Sequence, residues 1–202
     1  MKFTLIKQKK DLNTMPFNFN RLQIKDVVNI VPIRFKDDRG FFEETFKETD
    51  FANFGIDTTI KQINFSHSTK GVLRGLHYQL EPYTQSKIVR VVHGTIIDVA
   101  VDLRLGSPTF GKWVAQELND KTGNMLFIPK GFAHGFEVLS DEVDFEYYCS
   151  NIYAPEYERG IIYNDPFLNI SWKTQNPILS KKDLAYPSFE FAEYNFEYPL
   201  KK

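Results

Sequence analysis

The segment at residues 123–134, G-N-M-L-F-I-P-K-G-F-A-H, carries the clearest fold signal in the chain. Residues 124–128 form a short, mostly apolar run of the length expected for a buried strand. Pro129 and Gly131 then favour a tight turn, because proline fixes its own φ and glycine permits conformations closed to other residues. The strand that follows presents His134 toward the interior. The segment therefore predicts two strands joined by a tight turn, with one polar side chain directed inward.

Similar runs recur on both sides of this segment, separated by turn signals. We predict further strands over residues 26–35, 41–46, 60–65, 88–93, 95–103, 112–118, 135–139 and 143–148. Strands at this spacing, with little helical periodicity, predict an all-β, mainly antiparallel barrel or sandwich. Short helices are expected only around residues 49–53 and 180–185.

The two ends of the chain differ from the middle. Residues 1–18 are polar and lack a clean pattern, so we expect an N-terminal extension. Residues 188–202 are rich in Tyr, Phe and Glu and predict a C-terminal tail on the surface. Between them, residues 19–187 are expected to form one domain.

The composition limits the class of function. The 25 Lys and Arg against 26 Asp and Glu give a net charge of -1, so nucleic acid is not expected as the main partner. Cys149 is the only cysteine, which excludes an intrachain disulfide. No apolar run approaches the roughly 20 residues of a membrane span, and residues 1–10 lack the apolar core of a signal peptide. We expect a cytoplasmic protein without a membrane association.

The chemistry-bearing segment lies at residues 71–87, G-V-L-R-G-L-H-Y-Q-L-E-P-Y-T-Q-S-K. It places Arg74, His77 and Lys87 close together between strand-like runs. A histidine is a base that works near neutral pH, and the cations can hold the enolate formed when a proton leaves a carbon beside a carbonyl. This trio predicts carbanion chemistry, although a lone histidine or a lysine at a strand end is more often structural or solvated.

A second histidine admits three interpretations. The pattern G-x5-P-x-G-x2-H that ends at His134 matches the second motif of cupin barrels, in which this histidine binds metal. The first cupin motif would require H-x-H, and the chain has His77, Tyr78 and Gln79 instead. Two histidines without a carboxylate at the expected spacing make a poor metal site. His134 is therefore a ligand-binding group, a structural histidine or, least favoured, a metal ligand.

A resemblance to one family follows from pieces that occur in order along residues 22–187. They are F-K-D-D-R-G-F-F-E-E-T-F (35–46), Q-I-N-F-S (62–66), K-G-V-L-R-G-L-H-Y-Q (70–79), Q-S-K-I-V-R-V-V-H-G (85–94), D-V-A-V-D-L-R-L-G-S-P-T-F-G-K-W (98–113), I-P-K-G-F-A-H-G-F-E-V-L-S (128–140), Y-A-P-E (153–156), Y-N-D-P (163–166) and P-I-L-S-K-K-D (177–183). The chain resembles the dTDP-4-dehydrorhamnose 3,5-epimerases, metal-free enzymes with a cupin-type jelly-roll barrel. The departures are Tyr163 for the usual Trp, Ile152 for a Tyr, Cys149 for a common Thr and the N-terminal extension.

The resemblance implies a role for each matched residue. His77 matches the catalytic base, Asp183 its paired carboxylate, Lys87 the lysine at the keto oxygen and Tyr153 the acid on the opposite face of the sugar. The residues implied to bind substrate are Phe35, Arg39, Glu44, Gln62, Asn64, Arg74 and His134. The family also forms homodimers that exchange an N-terminal strand, so Phe35, Arg39 and Glu44 are expected to serve the partner's site.

The implied reaction inverts carbons 3 and 5 of dTDP-4-dehydro-6-deoxy-D-glucose through an enolate, within L-rhamnose and surface polysaccharide biosynthesis. It is expected to use neither a cofactor nor a metal. Three alternatives remain. One is an epimerase that acts at a single carbon or on another nucleotide-linked keto sugar. Another is a metal-dependent cupin enzyme that uses His77 and His134. The third is a non-catalytic cupin that binds sugar nucleotides.

Overall fold

A computed structural model describes residues 16–199, and these residues form two packed antiparallel sheets. The strands are β1 (Phe17–Arg21), β2 (Val28–Pro32), β3 (Phe35–Asp37), β4 (Gly40–Phe42), β5 (Gln62–Thr69), β6 (Leu73–Gln79), β7 (Lys87–His93), β8 (Thr95–Asp102), β9 (Trp113–Asn119), β10 (Met125–Ile128), β11 (Phe132–Val138), β12 (Glu142–Cys149) and β13 (Glu158–Gly160). One α-helix, α1 (Glu48–Phe54), lies between β4 and β5.

The sheets contain six and five strands. The first has the order β1-β2-β10-β7-β12-β5, the second has the order β13-β6-β11-β8-β9, and β3 pairs only with β4. Neighbouring strands in all three sheets are antiparallel. This arrangement confirms the predicted all-β, mainly antiparallel jelly-roll barrel with short helices.

The main hydrophobic core lies between the two sheets, and strand alternation explains its composition. In β8, Ile96 and Ala100 point into this core, whereas Ile97, Val99 and Val101 point to the outer face. Successive side chains of a strand face opposite sides, so each strand contributes every second residue. The outer face of the five-stranded sheet is covered by the C-terminal segment, whose Phe189 and Phe196 are buried. Helix α1 covers the outer face of the six-stranded sheet.

The same alternation places polar side chains in one part of the barrel interior. Strands β7, β8, β11 and β12 also carry apolar residues at inward positions, and those residues fill the rest of the interior. The inward polar residues are Gln62, Asn64, Ser66, His77, Lys87, Asp98, His134 and Tyr147. The barrel interior therefore combines an apolar core with a polar cavity.

The segment at residues 180–185, expected to be a short helix, contains only a 3₁₀ turn, Asp183–Ala185. The Ser180 hydroxyl holds the start of this turn, because it accepts a hydrogen bond of 3.0 Å from the backbone N–H of Asp183. A single turn suffices here, since its function in the fold is to bring Asp183 against β6. No helix within residues 16–199 is long and apolar enough to cross a membrane.

Candidate active site

A polar cavity opens at one end of the barrel and has two connected parts. The outer part, about 260 Å³, is lined by Gln62, Asn64, His77, Tyr78, Gln79, Gln85, Lys87, Tyr147, Tyr153 and Glu158. The inner part, about 150 Å³, is lined by Ser66, Arg74, His77, Lys87, His134, Phe136, Phe145 and Tyr147. His77, Lys87 and Tyr147 line both parts and so lie where the two meet.

His77 and Asp183 form a hydrogen-bonded pair at this junction. The imidazole Nε2 lies 2.5 Å from Asp183 Oδ1, and the Ser180 hydroxyl donates to Asp183 Oδ2 at 2.7 Å. Burial alone would raise the pKa of Asp183, but these hydrogen bonds and the nearby His77 hold that pKa below its usual value. The carboxylate stays ionised and accepts a hydrogen bond from the Nε2–H group, which leaves Nδ1 as the nitrogen able to take another proton.

The position of His77 follows from an unusually close approach of two strands. His77 on β6 is the direct partner of His134 on β11, and a register shift follows between His134 and Phe136. A Cβ built on Gly75 would lie 2.5 Å from the Cα of Gly135, so no side chain fits at that position. Glycine at both positions lets the backbones meet, and the two histidines therefore face the same cavity.

Lys87 enters the cavity from the opposite sheet. It is the first residue of β7, and its side chain makes no hydrogen bond or ion pair with another residue of the described range 16–199. Burial lowers the pKa of Lys87, partly offset by Cys149, Asp98 and Glu158. A half-buried cation without a partner is costly for the protein alone, so this ammonium is well placed for an anion that arrives with the substrate.

Tyr153 lies at the cavity mouth in a small cluster with Glu158 and Lys182. The tyrosine hydroxyl donates a hydrogen bond to Glu158 Oε2, and Lys182 Nζ donates to the same oxygen at 2.5 Å. The hydrogen bond to Glu158 raises the pKa of Tyr153. The phenol is consequently protonated at neutral pH, as an acid must be.

A second histidine–carboxylate pair lies deeper, between His134 and Asp98. Their Nε2 and Oδ2 atoms are 2.8 Å apart, and the Oδ1 atom of Asp98 is buried without a hydrogen-bond partner among the described residues. Burial raises the pKa of Asp98 and lowers that of His134, so the pair favours its neutral forms. His134 is thus an oriented hydrogen-bonding group in the inner part of the cavity.

The structure brings together most of the residues expected from the sequence. His77, Lys87, Tyr153, Gln62, Asn64, Arg74 and His134 line the cavity, and Asp183 lies behind His77. Phe35, Arg39 and Glu44 do not line it. They lie on or next to the β3–β4 hairpin, whose residues are all exposed.

The sequence analysis missed three charged residues, Asp98, Glu158 and Lys182, and also Tyr147, which lines both parts of the cavity. A signal for Asp98 was present, because it follows Ile96 on the inward face of an otherwise apolar strand, and a carboxylate at such a position needs a partner. Glu158 and Lys182 carry no comparable signal. Their contact with Tyr153 depends on how the chain folds after β12.

Comparison with known proteins agrees with this geometry. A family model described as dTDP-4-dehydrorhamnose 3,5-epimerase matches residues 21–190. The chain belongs to this family. A dTDP-4-dehydrorhamnose 3,5-epimerase of Shigella flexneri is 51% identical over 178 residues, covering 88% of this chain and 98% of the relative.

Two solved structures extend the comparison. The 3,5-epimerase of Legionella pneumophila, in complex with dTDP-4-keto-L-rhamnose, has a TM-score of 0.84 and 47% identity, covering 87% of this chain and 94% of its own. A 3'-monoepimerase of Streptomyces bikiniensis, in complex with dTDP-quinovose, has a TM-score of 0.78 and 35% identity, covering 83% and 85%. The chain is more similar in sequence to these double epimerases than to that monoepimerase.

Proposed function

We propose that this epimerase inverts carbons 3 and 5 of dTDP-4-dehydro-6-deoxy-D-glucose to give dTDP-4-dehydro-L-rhamnose. The observation that carries the proposal is the placement of His77, Lys87 and Tyr153 around one cavity. His77 comes from the five-stranded sheet, whereas Lys87 belongs to the six-stranded sheet and Tyr153 follows its strand β12. The Tyr153 hydroxyl is hydrogen-bonded to Glu158 of β13, the strand beside β6, so its proposed action on the opposite face of the sugar from His77 rests on the family resemblance.

The chemistry follows from the acidity of hydrogens next to a ketone. His77, oriented by Asp183, removes the hydrogen from carbon 3 or carbon 5, and the electron pair moves onto oxygen 4 as an enolate. Lys87 stabilises that negative charge by electrostatic attraction in a water-poor cavity. Tyr153 returns a proton to the same carbon from the other face. Because the sugar is neither oxidised nor reduced overall, the reaction as written needs no redox cofactor, and no step requires a metal.

The remaining polar residues of the cavity suit the rest of the substrate. Arg74 and His134 lie in the inner part and are assigned to the sugar and diphosphate, whereas Gln62 and Asn64 line the outer part. The family's expected cytoplasmic location agrees with a nucleotide-sugar substrate. The assignment of these cavity residues to the substrate and the cytoplasmic location are both parts of this proposal.

Exchange in deuterated water is the direct test of the function. The protein is incubated with dTDP-4-dehydro-6-deoxy-D-glucose in D₂O and the sugar is followed by proton NMR. We expect loss of the signals at carbons 3 and 5 together with the appearance of the L-configured product. Exchange at one carbon alone would assign a monoepimerase, and no exchange would reject the proposal.

The proposed assembly is a homodimer that exchanges its N-terminal region. The β3–β4 hairpin pairs only with itself within the described residues, and its Phe41 and Phe42 are 54% and 61% exposed. Edge strand β5 presents Ile63 and Phe65, 55% and 61% exposed, on its outer face. Exposed large apolar groups on a projecting hairpin and on a sheet edge are typical of an interface. In such a dimer the hairpin delivers Phe35, Arg39 and Glu44 to the partner's cavity.

Mixed dimers test this delivery. Arg39→Ala and His77→Asn chains are co-expressed with different tags, and the doubly tagged species is compared with each variant alone. A heterodimer contains one intact site of two if Arg39 serves the partner, so the doubly tagged species should recover about half of wild-type activity. The control mixture of Tyr153→Phe with His77→Asn should recover nothing, because both residues belong to one chain's site. Equal failure of both mixtures would show that Arg39 does not act across the dimer.

Tyr153→Phe should separate proton removal from proton return. The base His77 remains, so deuterium can still enter from its face, whereas inversion lacks the donor on the other face. Epimerised product should therefore fall much more than exchange, as measured in one NMR time course. The ring is retained and Glu158 keeps its contact with Lys182, so folding should be unaffected. Equal losses of exchange and epimerisation would make Tyr153 a positioning residue instead of the acid.

A further inference from the structure

The imidazole of His77 has a second neighbour on the turn that carries Asp183. The ring centroids of His77 and Tyr186 are 5.6 Å apart with an interplanar angle of 66°, which is an edge-to-face contact. Asp183 holds the imidazole at Nε2, and Tyr186 packs against the ring itself. The two residues lie three positions apart, so one short turn supplies both contacts.

We infer that Tyr186 is a positioning residue for the base: its ring fixes the orientation of the His77 imidazole and keeps water from the bond between His77 and Asp183. This inference rests on the proposed function, because it assigns Tyr186 to the same base.

The local backbone is built around the tyrosine ring. Gly160 on β13 is the direct cross-strand partner of His77. A Cβ added at Gly160 would lie 2.5 Å from two carbons of the Tyr186 ring, closer than such atoms approach. The ring therefore occupies the space that a side chain opposite His77 would fill. The backbone N–H of Ile162 donates to the carbonyl of Pro187 at 2.9 Å and fixes the segment that follows.

The interaction depends on the ring and not on its hydroxyl. The Tyr186 hydroxyl is buried and has no hydrogen-bond partner among the described residues. Burial, together with the negative charges of Glu158 and Asp183, raises the pKa of Tyr186, so the phenol stays neutral. A neutral aromatic ring adds no charge to the site. It supplies a rigid surface and excludes water, and a drier surrounding strengthens the hydrogen bond between the imidazole and the carboxylate.

A single hydrogen bond leaves the imidazole free to pivot about its bond to Cβ. A ring packed against it removes that freedom before the substrate arrives. Misplacement of a catalytic group by about 1 Å can cost on the order of 100-fold in rate. Tyr186 should therefore affect the rate of proton removal and leave substrate binding unchanged.

The test begins with the wild-type exchange in D₂O, which establishes the function independently. Tyr186→Ala should then lower kcat for exchange about tenfold to a hundredfold with KM unchanged. Tyr186→Phe restores the ring and should recover most of the rate. If the alanine variant is too unstable to assay, Tyr186→Leu replaces it, because leucine keeps the apolar bulk without the flat ring edge.

A double-mutant cycle with Asp183→Asn separates positioning from general stability. If both residues act through His77, the loss in the double variant should be clearly smaller than the product of the single losses. A loss in the double variant equal to the product of the two single losses would overturn the inference. A Tyr186→Phe variant as impaired as Tyr186→Ala would also overturn it, and so would a raised KM with kcat unchanged in Tyr186→Ala. Absence of wild-type exchange would instead reject the proposed function.

Discussion

Replacing His77 by asparagine should abolish deuterium exchange at both carbon 3 and carbon 5. His77 is the only histidine of the cavity whose carboxylate partner, Asp183, is held ionised. Its neighbour His134 is paired with a carboxyl group whose pKa is raised by burial, so it is a poor substitute. Loss of a general base typically costs about 100-fold to 10,000-fold in rate. Proton NMR in D₂O measures both carbons in one sample.

The matched control for this prediction is His93→Asn. His93 also lies near a carboxylate, with its Nδ1 3.4 Å from Asp120 Oδ2, but it is exposed and at the far end of the strand that begins with Lys87. The control should exchange at the wild-type rate. Asparagine at position 77 leaves Asp183 its hydrogen bonds with Ser180, so folding should persist. Exchange near the wild-type rate in His77→Asn would show that His77 is structural.

Replacing Lys87 by methionine should lower the exchange rate about 100-fold or more, since one preorganised group that stabilises an oxyanion is worth roughly 3 kcal/mol. Methionine has a similar length and no charge, so the cavity keeps its shape and loses the positive charge. Both carbons should be affected equally, because both reactions place the negative charge on oxygen 4. Binding of dTDP alone should change little. A loss confined to dTDP binding would assign Lys87 to the nucleotide instead of the enolate.

The same substitution should raise thermal stability. The half-buried Lys87 ammonium has no hydrogen-bond partner among the described residues, and desolvation lowers its pKa, so removing it relieves a desolvation cost. Because its pKa is lowered in the folded state, the unfolded chain binds more protons between that lowered pKa and the usual lysine value. Wild-type stability therefore rises with pH through this window, and the advantage of Lys87→Met should shrink there. Lys112→Met, at an exposed lysine, is the control and should show no such pH dependence.

The trade between activity and stability at Lys87 has a structural reason. A cation without a partner destabilises the resting protein. In the proposed mechanism it stabilises the negative charge that develops on oxygen 4 during the reaction. Asp98 lies on the other wall, and one of its carboxyl oxygens is likewise buried without a hydrogen-bond partner among the described residues. The cavity thus concentrates unsatisfied polar groups in a fold whose remaining interior is apolar. Functional sites commonly carry such costs.

Local sequence determined the strands and the side chains that face the cavity. A period of two residues, broken by glycine and proline, fixes which face each residue occupies, and this is why most of the strands and the inward position of His134 were predictable. Strand β6, which carries His77, was not among the predicted strands. The match to family motifs added Asp183 and Tyr153, which periodicity alone does not connect with His77. The expected helix at residues 180–185 was too long because propensity carries no information about the packing that ends it after one turn.

The tertiary structure alone decided the contacts made by distant parts of the chain. Asp183 meets His77 across 106 positions, and Asp98 meets His134 across 36. Tyr186 reaches the same imidazole only because Gly160 leaves room for its ring. Such contacts depend on how strands and loops are packed, and local patterns fix the direction of a side chain but not its distant neighbours. The sequence therefore determined which chemical groups the strands carry, and the fold decided which carboxylate or ring lies against each histidine of the cavity.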